Sequence, residues 1–147
     1  MRHKVLTDAA ERTHALIFDA GDEALGLLLD FCRQQDITAA RFTAIGAFES
    51  ATLGYFDWQR KEYDRIPVDE QVEVLSLIGD VSRHEGKPKV HAHVVVGRRD
   101  GSTRGGHLLE AHVRPTLEVL LFESPAYLKR TMDPESGIPL IDIERQS

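Results

Sequence analysis

The stretch Lys89-Val-His-Ala-His-Val-Val-Val-Gly-Arg-Arg-Asp-Gly-Ser-Thr-Arg-Gly-Gly-His-Leu-Leu-Glu-Ala-His-Val113 decides how this chain is read. Two apolar, β-branched runs flank Asp100-Gly101, which is the pattern of a hairpin. Strand side chains alternate with period two, so the loop length sets which histidines share a face. A two-residue loop pairs positions that sum to 201 and puts His107 opposite to His91 and His93. A three-residue loop of Arg99, Asp100 and Gly101 pairs positions that sum to 200 and sets His93 directly across from His107. The second register is favoured, because it supplies glycine at the left-handed third position of a type I turn with a bulge. Cross-strand Cβ atoms are then ~4.5–5.5 Å apart, so His91, His93 and His107 could converge on one ion. Three imidazoles meeting from one side leave an open position, as in catalytic rather than structural zinc sites. A bulge at Gly105-Gly106 would undo that parity.

In this register the histidine face also holds Val95, Leu109, Ala111 and Val113, and the opposite face Val90, Ala92, Val94, Val96 and Leu108. Both are apolar, and a small domain with one main helix can cover only one of them. The other is expected to meet a second subunit, with the histidines at or near the interface. His112 is expected to point away from the cluster, and His84 to lie on the surface.

Working outward, apolar residues Leu25, Leu28, Leu29 and Cys32 recur at helical spacing between positions 22 and 35, with Asp22 and Glu23 at the start. Cys32 falls on the apolar face and reads as inert packing. Strands are expected over 12–18, 40–47, 51–58, 63–67, 71–79, 89–97, 103–113 and 117–122. In 71–79, Val72, Val74, Ser76 and Ile78 should face one way, and the later half should be buried on both faces. A second short helix is expected after Ser124-Pro125, and an edge strand near 140–143, within a turn-rich tail over 131–147.

The chain of 147 residues reads as one domain, with a core over about 12–122. Eighteen basic and 24 acidic residues give a net charge of −6, which speaks against a strong duplex binder. The basic residues Arg98, Arg99 and Arg104 at the hairpin tip, and Arg60-Lys61, are the weak nucleic-acid candidates; each reads first as a solvated loop. One cysteine and a start without an apolar signal region point to a cytoplasmic protein, and no apolar run is long enough to cross a bilayer. Tyr55, Phe56 and Trp58 read as core or interface residues. Glu49, beside Gly46-Ala-Phe, is the candidate base or fourth ligand, from the same or a neighbouring subunit. No glycine pattern matches a phosphate loop, and no serine sits in a nucleophile elbow.

Glu73-Val-Leu-Ser-Leu-Ile-Gly-Asp-Val, Lys87-Pro-Lys-Val-His-Ala-His-Val-Val-Val-Gly and Gly105-Gly-His-Leu-Leu, in that order, resemble the plants-and-prokaryotes-conserved (PPC) domain in its stand-alone prokaryotic form. The resemblance covers most of the chain and includes Gly46-Ala-Phe-Glu-Ser and Leu53-Gly-Tyr-Phe-Asp. It implies an α+β fold, a mainly antiparallel multi-stranded sheet flanked by one long helix and assembled as a homotrimer. It also implies a metal, zinc foremost, at His91, His93 and His107. The family is commonly described as DNA-binding, largely through plant members with AT-hooks, and no Arg-Gly-Arg-Pro core occurs here. Two functions follow as expectations: a metal-binding homotrimer with a DNA-binding or regulatory role, or a small zinc-dependent enzyme or ligand-binding protein built on the same histidines.

Overall fold

The computed structural model describes residues 1–7, 12–124 and 129–142. In chain order the elements are β1 (Arg2–Thr7), β2 (Thr13–Asp19), α1 (Ala24–Gln34), β3 (Ala40–Asp57), β4 (Glu62–Val68), β5 (Val72–His84), β6 (Lys87–Gly97), β7 (Thr103–Glu123), β8 (Lys129–Met132) and β9 (Pro139–Ile141). All nine strands belong to one sheet, in the order β1-β2-β7-β3-β5-β8-β9, with β4 added on β3 and β6 bridging β5 and β7. Pairing is antiparallel except between β5 and β8.

Two strands are much longer than the sequence suggested. The expected strands 40–47 and 51–58 are one 18-residue strand, and 103–113 and 117–122 are one of 21 residues. Each changes partner along its length. The first half of β3 pairs with β5, its second half with β4, and β7 runs alongside both. Since β6 pairs with both β5 and β7, the strands β3, β5, β6 and β7 form a closed hydrogen-bonded circuit.

The helix is short, 11 residues rather than the long one expected. Glu23 caps it, accepting from the backbone N–H groups of Leu25 and Gly26 at 3.2 and 2.6 Å, and Asp36 ends it in the left-handed region at φ 52°. It buries Ala24, Leu28, Phe31 and Cys32 over β6 and β7. Cys32 is fully buried, and burial, with Glu123 nearby, pushes its thiol up to about 12, which suits inert packing.

Bulges correct two of the expected alternations. In β5 the register slips between Val74 and Ser76, so Leu77 is buried with Val72 and Val74 while Ser76 and Ile78 turn outward. Leu75 and Ile78 are 53% and 55% exposed, so the later half of β5 is covered on one face only in the single chain. In β7 an extra residue, Leu109, lies between Leu108 and Glu110. Ala111 and Val113 consequently join Leu108 in the core instead of standing with the histidines. Tyr55 and Trp58 are also outside the core, 66% and 55% exposed.

The N-terminal strand β1 was not anticipated, whereas β9 overlaps the expected edge strand over 140–143 at Leu140 and Ile141; residue 143 lies outside the described residues. Of the second helix, residues 125–128 lie outside the described residues and Lys129 begins a strand. No helix among the described residues is long and apolar enough to cross a membrane.

Candidate metal centre

The hairpin takes the three-residue register. His93 faces His107, Val94 Gly106, Val95 Gly105, Val96 Arg104 and Gly97 Thr103, with no bulge at the glycines. Arg98 N–H donates to the Ser102 carbonyl at 2.8 Å, Gly101 N–H to the Arg98 carbonyl at 2.9 Å, and Gly101 sits at φ 81°.

His91, His93 and His107 each offer one ring nitrogen, and the three lie within 4.8 Å of one another. Ring centroids are 5.0 Å apart for His91–His93, 5.1 Å for His91–His107 and 5.4 Å for His93–His107. Nitrogens that share a tetrahedral zinc at ~2.0–2.1 Å sit roughly 3.3 Å apart, so side-chain rotation has to close the widest gap by at most about 1.5 Å. Burial, then the charges of His91, His93 and Lys89, push His107 down to about 4. Burial and His91 lower His93 as well. Both rings are therefore neutral at pH 7, the form that ligates. The buried Nδ1 of His107 has no hydrogen-bond partner, which is a cost that a ligand bond or a bound group would remove. The donor set fits a transition-metal ion.

Neighbouring residues hold two of the rings. Tyr63 of β4 stacks on His107, with centroids 4.7 Å apart. Asp80 of β5 approaches His91 Nδ1 at 3.4 Å, as does an Arg130 guanidinium nitrogen. These two contacts need opposite tautomers. A metal on Nε2 would fix the proton on Nδ1, which then donates to Asp80, the familiar carboxylate–histidine–metal arrangement. Arg130 in turn donates to both Asp80 oxygens at 2.8 and 3.0 Å, to Ser82 Oγ at 2.6 Å and to the Pro139 carbonyl at 3.0 Å. Burial raises the Asp80 carboxyl, but hydrogen bonds from His91 and Arg130 outweigh it and hold the group below its ordinary value. Sequence reasoning missed Asp80, Arg130 and Tyr63. Asp80 alone left a trace, since it lies two residues beyond Ile78, the partner of His93, and so shares its face.

The other candidates lie elsewhere. Glu49 is bonded to Arg114 at 3.4 Å and lies five residues along β3 from Gly54, which faces His107, or roughly 16 Å at ~3.3 Å per residue. His112 pairs with Glu110 at 3.3 Å. His84 is half-buried and contacts the Arg130 carbonyl at 3.3 Å. At the hairpin tip, Arg98 is bonded to Glu70 at 2.6 Å and Arg104 to the Pro67 carbonyl at 3.1 Å, while Arg99 is exposed. Arg60 is held by Asp57, Glu62 and Asp64.

The triad also ends a row that crosses the sheet. Ala15, Leu120, Thr43, Ile78, His93 and His107 face one another in succession, and directly opposed residues point to one side of a sheet. Leu120 and Ile78 in that row are 43% and 55% exposed, and Ile45 and Val95 nearby 61% and 42%.

Residues 6–125 match the Plants and Prokaryotes Conserved (PCC) domain. The chain belongs to this family. Its fold is similar to that of a PPC protein from Pyrococcus horikoshii, at TM-score 0.84 and 36% identity over 89% of this chain and 91% of that one. A protein from Bacteroides thetaiotaomicron described as "putative DNA binding" superposes with TM-score 0.88 at 28% identity, covering 97% and 99% of the two chains. A metal-containing protein from Archaeoglobus fulgidus does so with TM-score 0.83 at 34% identity, covering 96% of each. The Bifunctional protein GlmU of Synechococcus sp. (strain JA-3-3Ab) is 31% identical over 147 residues, 98% of this chain. That match takes 22% of the GlmU sequence, so this chain spans about a fifth of the length of the curated relative it matches.

Proposed function

We propose that this PPC-domain protein holds one divalent transition metal, zinc foremost, at His91, His93 and His107, and works as a homotrimer. The observation that carries the reading is the convergence of three imidazole donors within 4.8 Å. Neutral imidazoles suit zinc, and three of them leave room for a further ligand. The metal-containing relative from Archaeoglobus supports the same reading. When bound, such an ion supplies Lewis acidity to an oxygen ligand. The chain's own residues orient the site: Asp80 holds the His91 tautomer and Tyr63 fixes the plane of His107. The trimer is supported by the family resemblance and by the exposed row through Leu120 and Ile78, which a second copy would cover.

A DNA-binding or regulatory role is supported by the Bacteroides relative. The chain's own charges favour the second reading, a small zinc-dependent enzyme or ligand-binding protein. Arg98 and Arg60 are neutralised by carboxylates, and a pocket of about 140 Å³ opens beside His91 and His107. In that reading Glu49 acts as a base only from a neighbouring subunit. Native mass spectrometry of untagged protein tests the site and the assembly together. The expected species is a trimer with one zinc per chain, lost in His93→Ala; a metal-free trimer or a zinc-bearing His93→Ala protein contradicts it. Fluorescence anisotropy with duplex DNA decides between the roles, since a regulatory binder gives a complex that salt weakens, and the absence of a complex at low salt leaves the ligand-binding reading.

A further inference from the structure

The pocket beside the triad has unbalanced charge. It is lined by Tyr63, Lys89, His91, His107, Arg130 and an apolar wall from Ile138 to Leu140. No carboxylate lines it among the described residues. Arg130 already serves Asp80, Ser82 and Pro139, and Asp80, just behind, is taken up by Arg130 and His91. Lys89 is half-buried, and its ammonium has neither a hydrogen bond nor an ion pair among the described residues. The Tyr63 side chain also lines the pocket, and its hydroxyl, without a hydrogen bond among the described residues, can donate one. Lys89 and Arg130 against Asp80 leave one surplus positive charge. A divalent ion on three neutral imidazoles raises the surplus to three.

A desolvated positive surplus beside free N–H and O–H donors calls for an anion. The size narrows the choice, because cofactor and drug-sized ligands occupy ~300–1,000 Å³ and this pocket has about 140 Å³. A nucleotide does not fit. The wall narrows it further: Ile138, Pro139 and Leu140 offer nothing to a second charged end and suit a short hydrocarbon. We propose that the pocket is a subsite for a small aliphatic monocarboxylate, its oxygens taken by Lys89 and Tyr63 and its tail laid against the β8–β9 hairpin. The inference rests on the metal reading for one contact only, a carboxylate oxygen at the open side of the triad.

The test is equilibrium dialysis of radiolabelled butyrate against the intact protein, zinc-loaded and EDTA-treated, with zinc content measured on the same samples and inorganic phosphate as competitor. One butyrate per chain is expected. Lys89→Gln should weaken it roughly ten- to a hundredfold, the size of a lost charge-assisted hydrogen bond, while zinc content stays at the wild-type level. Lys89→Arg should restore most of the affinity, and Tyr63→Phe should cost less than Lys89→Gln. Equal binding by wild type and Lys89→Gln overturns the subsite, as does phosphate displacing butyrate at a tenth of its concentration. Zinc without butyrate leaves the metal centre standing and the subsite refuted. Lys89-dependent butyrate binding without any zinc refutes the metal centre and keeps the subsite.

Discussion

Asp80→Asn separates what the carboxylate does for the fold from what it does for the metal. Arg130 is 7% exposed and Asp80 26%. Breaking a fully buried pair costs ~3–5 kcal/mol because the surviving charge is stranded. Asp80 is partly solvated and asparagine still accepts one hydrogen bond, so the loss here should be about 2 kcal/mol. For a chain of this size each kcal/mol moves Tm by roughly 2–4 °C, so the metal-free variant should melt roughly 4–8 °C lower. Zinc affinity should also drop, by roughly ten- to a hundredfold, because a carboxylate behind a ligating histidine sets its tautomer and basicity. The two effects part company in Asp80→Asn/Arg130→Met. Removing the stranded guanidinium should recover most of the melting temperature and none of the zinc affinity. Differential scanning fluorimetry in EDTA and a competitive zinc titration read the two. Wild-type zinc affinity in Asp80→Asn would refute the orienting role, and an unchanged melting temperature would refute the stranded-charge argument.

Three further outcomes follow from the same contacts. A methyl group on Gly79 would collide with the Phe42 ring and the His91 carbonyl oxygen, so Gly79→Ala should cost ~1–3 kcal/mol by overpacking and loosen zinc through displaced His91; wild-type stability by urea denaturation would contradict it. His107 takes up its proton only near pH 4 when folded, against 6.5 ordinarily, so between those values the unfolded chain binds the proton that the folded chain refuses. Metal-free protein should therefore lose stability relative to His107→Leu as pH falls through that window, and a difference independent of pH in urea melts would contradict this. Ile78→Asp places a charge in the exposed row, 55% exposed in one chain, so it should leave the single chain folded and dissociate the proposed trimer; sedimentation showing a trimer still intact would contradict the proposed interface.

The local chemistry of the hairpin was legible in the sequence, because Asp100-Gly101 at a three-residue loop has one good conformation and that conformation fixes His93 against His107. The core positions Val94, Val96 and Leu108 followed from the same parity. Parity failed where the strands bulge. Nothing in Leu75 or Leu109 as residue types announces an extra residue in a ladder, yet each shifts every later side chain to the other face. The joining of 40–57 and 103–123 into single strands was hidden because the expected strands break at 48–50 and 114–116, while in the fold these segments are irregularities within continuous strands. The helix read from apolar spacing over 22–35 forms over Ala24–Gln34, and only the greater length that the resemblance implied is missing. Around the site the histidines were found by spacing, whereas Tyr63, Asp80, Lys89 and Arg130 come from β4, β5, β6 and β8 and meet only through the sheet. The Arg130 contact depends on the parallel β5–β8 pairing at Arg83 and His84, which no local pattern encodes.

The proposed site holds one metal ion among His91, His93 and His107. Anomalous diffraction at the zinc edge from crystals of untagged, zinc-supplemented protein locates that ion. One peak per chain is expected, at ~2.0–2.1 Å from a nitrogen of each of the three rings. Full zinc occupancy elsewhere, or three imidazoles hydrogen-bonded to one another with no peak between them, would contradict it.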